Sequence, residues 1–185
     1  MHIISVSNET RRNKMATAVN QNSKTSPAMH VLYLLLISAT IVSLGALMGF
    51  IGGATEGYSG ITRPTLTPPD ITFSIVWPIL YFMMGASFYL TLITTPSNKE
   101  EKTIRIVSIV IFFVQLAFNF TWTPIFFKAR LYFFAFVWLA VLDAMVTALI
   151  ILNFKINKWS AILLIPYLAW ILFATYLNVM IAVYN

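Results

Sequence analysis

Five stretches of this chain, approximately residues 30–53, 71–93, 103–127, 131–153 and 159–183, stay apolar for more than twenty residues each. A helix rises 1.5 Å per residue, so about 20 helical residues cross a hydrocarbon core roughly 30 Å thick. Inside lipid a backbone N–H or C=O finds no water, and only a helix or a closed barrel satisfies it. The strict alternation of a barrel strand is missing from these runs. The expected fold class is therefore all-α integral membrane, a bundle of five transmembrane helices. Composition agrees, with 59% hydrophobic and only 10% charged residues, far from a soluble domain of this length.

The organisation that follows is one transmembrane domain over residues 29–185 behind a polar N-terminal tail, residues 1–28. The tail is rich in Asn, Ser and Thr and carries Arg11, Arg12, Lys14 and Lys24. It lacks the apolar core of a signal peptide and reads as disordered, with Met15 a second candidate start. A net charge of +6 might suggest nucleic acid, but the basic residues sit in short segments flanking apolar runs. They report orientation instead: nine of the twelve fall in the tail and in the second and fourth loops, leaving Arg63, Lys128 and Arg130 opposite. The positive-inside rule puts the N-terminus in the cytoplasm and the C-terminus outside. These charges fit a bacterial plasma membrane best, with a mitochondrial outer membrane as the alternative.

Several chemistries are excluded outright. There are no cysteines, hence no disulfide, thiolate metal site or cysteine nucleophile. The two histidines, His2 and His30, lie in or beside the tail, too few and too far out for a catalytic triad or a histidine metal cluster in the bundle. No phosphate-cradling glycine loop is present. We therefore expect no catalytic residues, no metal site and no required cofactor.

What the spans do contain is patterned. Trp77, Tyr81, Met84 and Phe88 share one face of the second helix; Gln115, Asn119 and Trp122 do the same on the third, and Tyr167, Trp170, Ala174 and Asn178 on the fifth. Large aromatics beside isolated amides suit an apolar pocket with a few orienting hydrogen-bond groups; they equally suit helix packing with amides bonding across helices. Gly45, Gly49 and Gly53 recur every four residues on the first span and read as a packing face, with a ligand groove as the alternative. Asp143 is the only carboxylate deep in a span. A charge there is costly, and with no intramembrane carboxylate, histidine or lysine to relay to, a hydrogen-bonded tie between helices is favoured over a proton step. The first loop, Ala54 to Asp70, holds Gly57, Gly60, Pro64, Pro68 and Pro69 and reads as a stiff lid over the bundle.

In order along the chain come Gly52-Gly53, Arg63-Pro64, Pro68-Pro69, Phe73, Val76-Trp77, Leu80-Tyr81 and Met84-Gly85-Ala86, then Gln115-Leu116, Asn119, Trp122 and Phe126-Phe127, and finally Pro166-Tyr167, Trp170, Phe173-Ala174-Thr175 and Leu177-Asn178. Over roughly residues 49–185 this series resembles the translocator protein family, also called tryptophan-rich sensory proteins or peripheral-type benzodiazepine receptors. The resemblance implies a five-helix fold, often a homodimer. It implies a receptor or sensor that binds tetrapyrroles such as protoporphyrin IX and haem, and related apolar ligands, beneath the first loop. Matching motif for motif, the implied ligand-binding residues are Tyr58, Pro68, Trp77, Asn119, Trp122, Trp170 and Ala174. Light-dependent porphyrin degradation is a further implied activity. Porphyrin transport and a dimeric scaffold are the alternatives. Two departures stand out: Gly57 precedes Tyr58 where the family often has tryptophan, and Arg63 replaces the usual lysine before proline. The sterol-recognition pattern of animal members is not matched at Tyr184-Asn185, so cholesterol is not an expected partner.

Overall fold

The structure is a computed structural model and describes residues 26–54 and 59–185. Five helices follow one another: α1 Pro27–Ile51, α2 Asp70–Ile93, α3 Lys99–Phe127, α4 Tyr132–Phe154 and α5 Lys158–Tyr184. Each is long and apolar enough to cross a membrane, and there is no strand among the described residues. Of the tail expected over residues 1–28, only the last three fall among them. Ser26 caps α1, its Oγ accepting from the Met29 N–H at 3.3 Å, and Pro27 takes the first helical position, where a missing N–H costs nothing. The packing described below concerns residues 34–185.

Helix ends follow local chemistry more closely than hydropathy. The third helix starts at Lys99, four residues ahead of the apolar run. Asn98 Oδ1 accepts from the Glu101 N–H at 2.9 Å while Glu101 Oε2 accepts from the Ser97 N–H at 2.7 Å, a reciprocal cap that holds charged residues in helix. Asn157 starts α5 in the same manner, accepting from the N–H groups of Trp159 and Ser160. The first helix stops at Ile51, two residues short of the expected boundary. Gly53 follows with φ +86, a conformation that glycine adopts without strain.

The closed half of the bundle is a conventional core. Met84, Leu139, Leu142, Val146, Leu164, Tyr167 and Ile171 are fully buried among α2, α4 and α5. Phe88 stacks on Phe112 with ring centroids 4.3 Å apart, so the lower part of the α2 stripe packs and does not line a pocket. Near the far end a knot of hydroxyls and an amide ties three helices. Ser87, Thr91 and Asn153 all converge on Ser160, with Thr91 Oγ1 2.7 Å and Asn153 Nδ2 2.9 Å from Ser160 Oγ. Lipid supplies no alternative partners for such groups, so they find one another.

α1 is the least embedded helix. From Leu34 on it buries only Ser38, Ile41 and Gly45, and it leaves Leu35, Leu36, Leu44, Leu47 and Phe50 exposed. It reaches α2 at two glycines: a Cβ on Gly85 would lie 2.5 Å from the Ser38 backbone, and one on Gly45 would enter the Tyr81 ring. The single glycine packing face expected on α1 is thereby divided among three roles. Gly45 admits Tyr81, Gly53 makes the turn, and Gly49 meets nothing nearer than the Ala54 Cβ at 4.0 Å, because it faces open space.

Candidate functional site

That space is a cavity of about 600 Å³ where α1 ends and α2 begins. It lies within the usual size range of small-molecule sites. α1 supplies a thin wall, Val42, Gly45, Ala46, Gly49 and Phe50, and the small residues there give the volume. α2 contributes Phe73, Ser74, Trp77, Pro78 and Tyr81, with Asp70 at its first turn. Pro78 has no N–H to bond the Ser74 carbonyl, yet α2 runs on as one helix from Asp70 to Ile93 along the cavity. α3 and α5 add Asn119, Trp122, Thr123 and Phe126, and Trp170, Ala174, Leu177 and Asn178.

The aromatic walls brace one another. Trp77 stacks on Tyr81 at 5.4 Å, Trp122 on Phe126 at 5.0 Å, and Trp170 meets the edge of Phe73 at 5.6 Å. Rings held this way expose faces to the cavity without conformational freedom to lose when a flat molecule enters.

Most polar groups on the lining are already committed. Tyr81 OH donates to Asn119 Oδ1 at 2.8 Å, Asn119 Nδ2 donates to Tyr167 OH at 3.1 Å, and Tyr167 OH donates to Gln115 Oε1 at 3.0 Å. This chain runs from the cavity into the core and fixes the side chain of Asn119. Trp122 Nε1 donates to Asn178 Oδ1 at 3.1 Å, whose Nδ2 in turn donates to the Tyr132 carbonyl at 2.8 Å. Trp170 differs: its Nε1 is buried and has no acceptor among the described residues, a state that costs about 1–3 kcal/mol.

Of the seven residues singled out by resemblance, Trp77, Asn119, Trp122, Trp170 and Ala174 come together around this one cavity. Tyr58 lies outside the described residues. Pro68 is half-buried and does not line the cavity; Pro69 continues in an extended conformation (φ −55, ψ 146) and the rim position falls to Asp70. Between Ser59 and Pro69 the first loop contributes no residue to the cavity lining and is fastened to the end of α5. The Thr62 N–H donates to Asn185 Oδ1 at 2.9 Å and Asn185 Nδ2 donates to the Thr62 carbonyl at 3.2 Å, while Ile61 packs in a cluster with Phe126 and Ile181. Among the lining residues without a site role in the motif reading are Gly49 and Asp70, and also Phe73, which stood in the motif series itself. For Gly49 the signal was the groove reading of the glycines; for Asp70, a carboxylate at the foot of an aromatic stripe.

Asp143 stands apart from the cavity. Its Oδ2 accepts from Thr175 Oγ1 at 2.8 Å, joining α4 to α5, and its Oδ1 is buried with no partner among the described residues. The outward faces of the helices carry Val110, Phe113, Val114, Ile151, Ile165 and Leu172 exposed, the surface that acyl chains cover in an integral membrane protein.

Comparison with known proteins agrees with this architecture. The sequence model of the TspO/MBR family matches residues 24–184. The tryptophan-rich protein TspO of Chlorobaculum tepidum is 31% identical over 150 residues, covering 78% of this chain and 92% of that protein. The tryptophan-rich protein TspO of Archaeoglobus fulgidus is 31% identical over 159 residues, 85% of this chain and 99% of its own. The human translocator protein is 34% identical over 139 residues, 74% of this chain and 80% of its own. A match along nearly the whole described bundle, with five spans in the same order as the motifs, makes this chain an integral membrane protein of the TspO/MBR family.

Proposed function

We propose that this protein is a membrane receptor for flat, largely apolar macrocycles of the tetrapyrrole type, such as protoporphyrin IX or haem, held in the cavity between α1, α2, α3 and α5. The observation that carries the reading is the set of aromatic faces of Trp77, Trp122, Trp170 and Phe73 that wall the cavity and brace one another. Stacking of a flat ligand on these fixed aromatic faces supplies the affinity. Asn119, held by Tyr81 and Tyr167, acts mainly to set the shape of the floor. Family membership supports the reading without extending to the ligand itself.

Indoles within stacking distance of a photoexcitable macrocycle also make light-dependent degradation of the ligand part of this proposal. The test is titration of purified protein with protoporphyrin IX in the dark, read by tryptophan fluorescence, followed by illumination and absorption spectra. Trp170→Phe and Trp77→Phe each shrink the stacking face. Each is expected to weaken binding by roughly tenfold, the equivalent of about 1.4 kcal/mol. Unchanged affinity and unchanged photoproducts in both variants would refute the assignment. Uptake into proteoliposomes would separate a receptor from a transporter.

A further inference from the structure

We propose that Arg63 and Asp70 form a carboxylate-exchange pair at the cavity mouth: a ligand bearing a carboxylate displaces Asp70 from the Arg63 guanidinium and binds there itself. The inference rests on the tetrapyrrole reading above and names which part of the ligand the pair recognises. Asp70 is the one charged residue among the described residues lining the cavity. Arg63 Nη1 donates to its Oδ1 at 2.8 Å and Nη2 to its Oδ2 at 3.3 Å. The guanidinium therefore sits one hydrogen bond beyond the lining, held by a carboxylate that a ligand carboxylate can imitate.

The pair is built to exchange. One arm of the fork is short and the other long, and the two side chains are 39% and 58% exposed, so water screens the attraction and breaking it costs roughly 0–1 kcal/mol. Once released, Asp70 keeps water around it and remains in the first turn of α2, where a negative charge is favourable. A guanidinium offers the same planar fork to any carboxylate. A free small anion gains little by competing with an internal carboxylate already in place. A ligand whose apolar body is anchored against Trp77 and Trp170 competes as a tethered group, at high effective concentration. Asp70 thus reserves Arg63 for amphipathic acids and tempers their affinity, while a neutral ligand of the same shape gains nothing from the pair.

The experiment compares protoporphyrin IX with its uncharged dimethyl ester on the full-length protein and on Asp70→Asn, Arg63→Gln and the double variant, each checked for unchanged thermal unfolding. Asp70→Asn is expected to tighten the acid by roughly three- to tenfold and to leave the ester within about twofold. Arg63→Gln is expected to weaken the acid alone. On the Arg63→Gln background, Asp70→Asn should lose most of its effect, because no guanidinium is left to release. An Asp70→Asn effect of equal size in both backgrounds would show plain charge repulsion and overturn the exchange. An acid-to-ester ratio constant across all variants would overturn it as well, with the tetrapyrrole cavity intact. No saturable binding of either porphyrin to the unaltered protein would remove the tetrapyrrole reading and this inference with it.

Discussion

Asn119 serves two tyrosines at once, accepting from Tyr81 and donating to Tyr167, and through Tyr167 it reaches Gln115 on its own helix. The three bonds join α2, α3 and α5 directly beneath the cavity. Hydrogen bonds between membrane helices average about 0.6 kcal/mol and reach about 1.7 kcal/mol at most. Asn119→Leu leaves the Tyr81 hydroxyl without its acceptor and takes one donor from Tyr167, which keeps its bond to Gln115, so a loss of about 1–2 kcal/mol in unfolding free energy in bicelles is expected. A loss below the error of the measurement would mean that the tyrosines find other partners. The presence of Asn119 in the site was legible from its spacing to Trp122 and from the family motifs. Its commitment was not, because both partners lie on other helices, 38 and 48 residues away in sequence. Trp170 was legible in the same way, whereas the burial of its N–H depends on what surrounds it in space.

At the scale of elements, α1 is the weak member and also the thin wall of the cavity. Its hold on α2 depends on Gly45 and Gly85, where backbone and ring approach too closely for a Cβ. Gly85→Ala is expected to push α1 away from α2, costing roughly 1–3 kcal/mol as overpacking does. Because Gly45 and Gly49 belong to the cavity, porphyrin affinity should fall in the same variant. Full affinity together with unchanged stability would show that α1 can shift without consequence. The existence of all five helices was plain from the apolar runs, since lipid permits little else. Their ends were less so. Hydropathy counts Lys99, Glu100, Glu101 and Lys102 as loop, yet the exchange of bonds among Ser97, Asn98 and Glu101 makes them the first turn of α3. The glycine repeat misled for a related reason: equal spacing in sequence places residues on one face but does not say whether a helix, a turn or an empty space meets each of them.

For the molecule as a whole, one end of the bundle is closed and the other is hollow. The hydroxyl knot around Ser160 and the core around Tyr167 fill the first, while small residues on α1 leave about 600 Å³ in the second. The central claim is that this hollow is where the ligand sits. Gly49 offers the most direct test, because a side chain there would project into open space and not into a neighbouring helix. Gly49→Leu should fill part of the cavity while preserving helix content and thermal unfolding. Titrated with protoporphyrin IX in the dark, the unaltered protein is expected to show saturable tryptophan quenching, and the variant to lose affinity by at least about tenfold. Equal binding by the two proteins, with the fold intact in both, would contradict the account and place the ligand elsewhere.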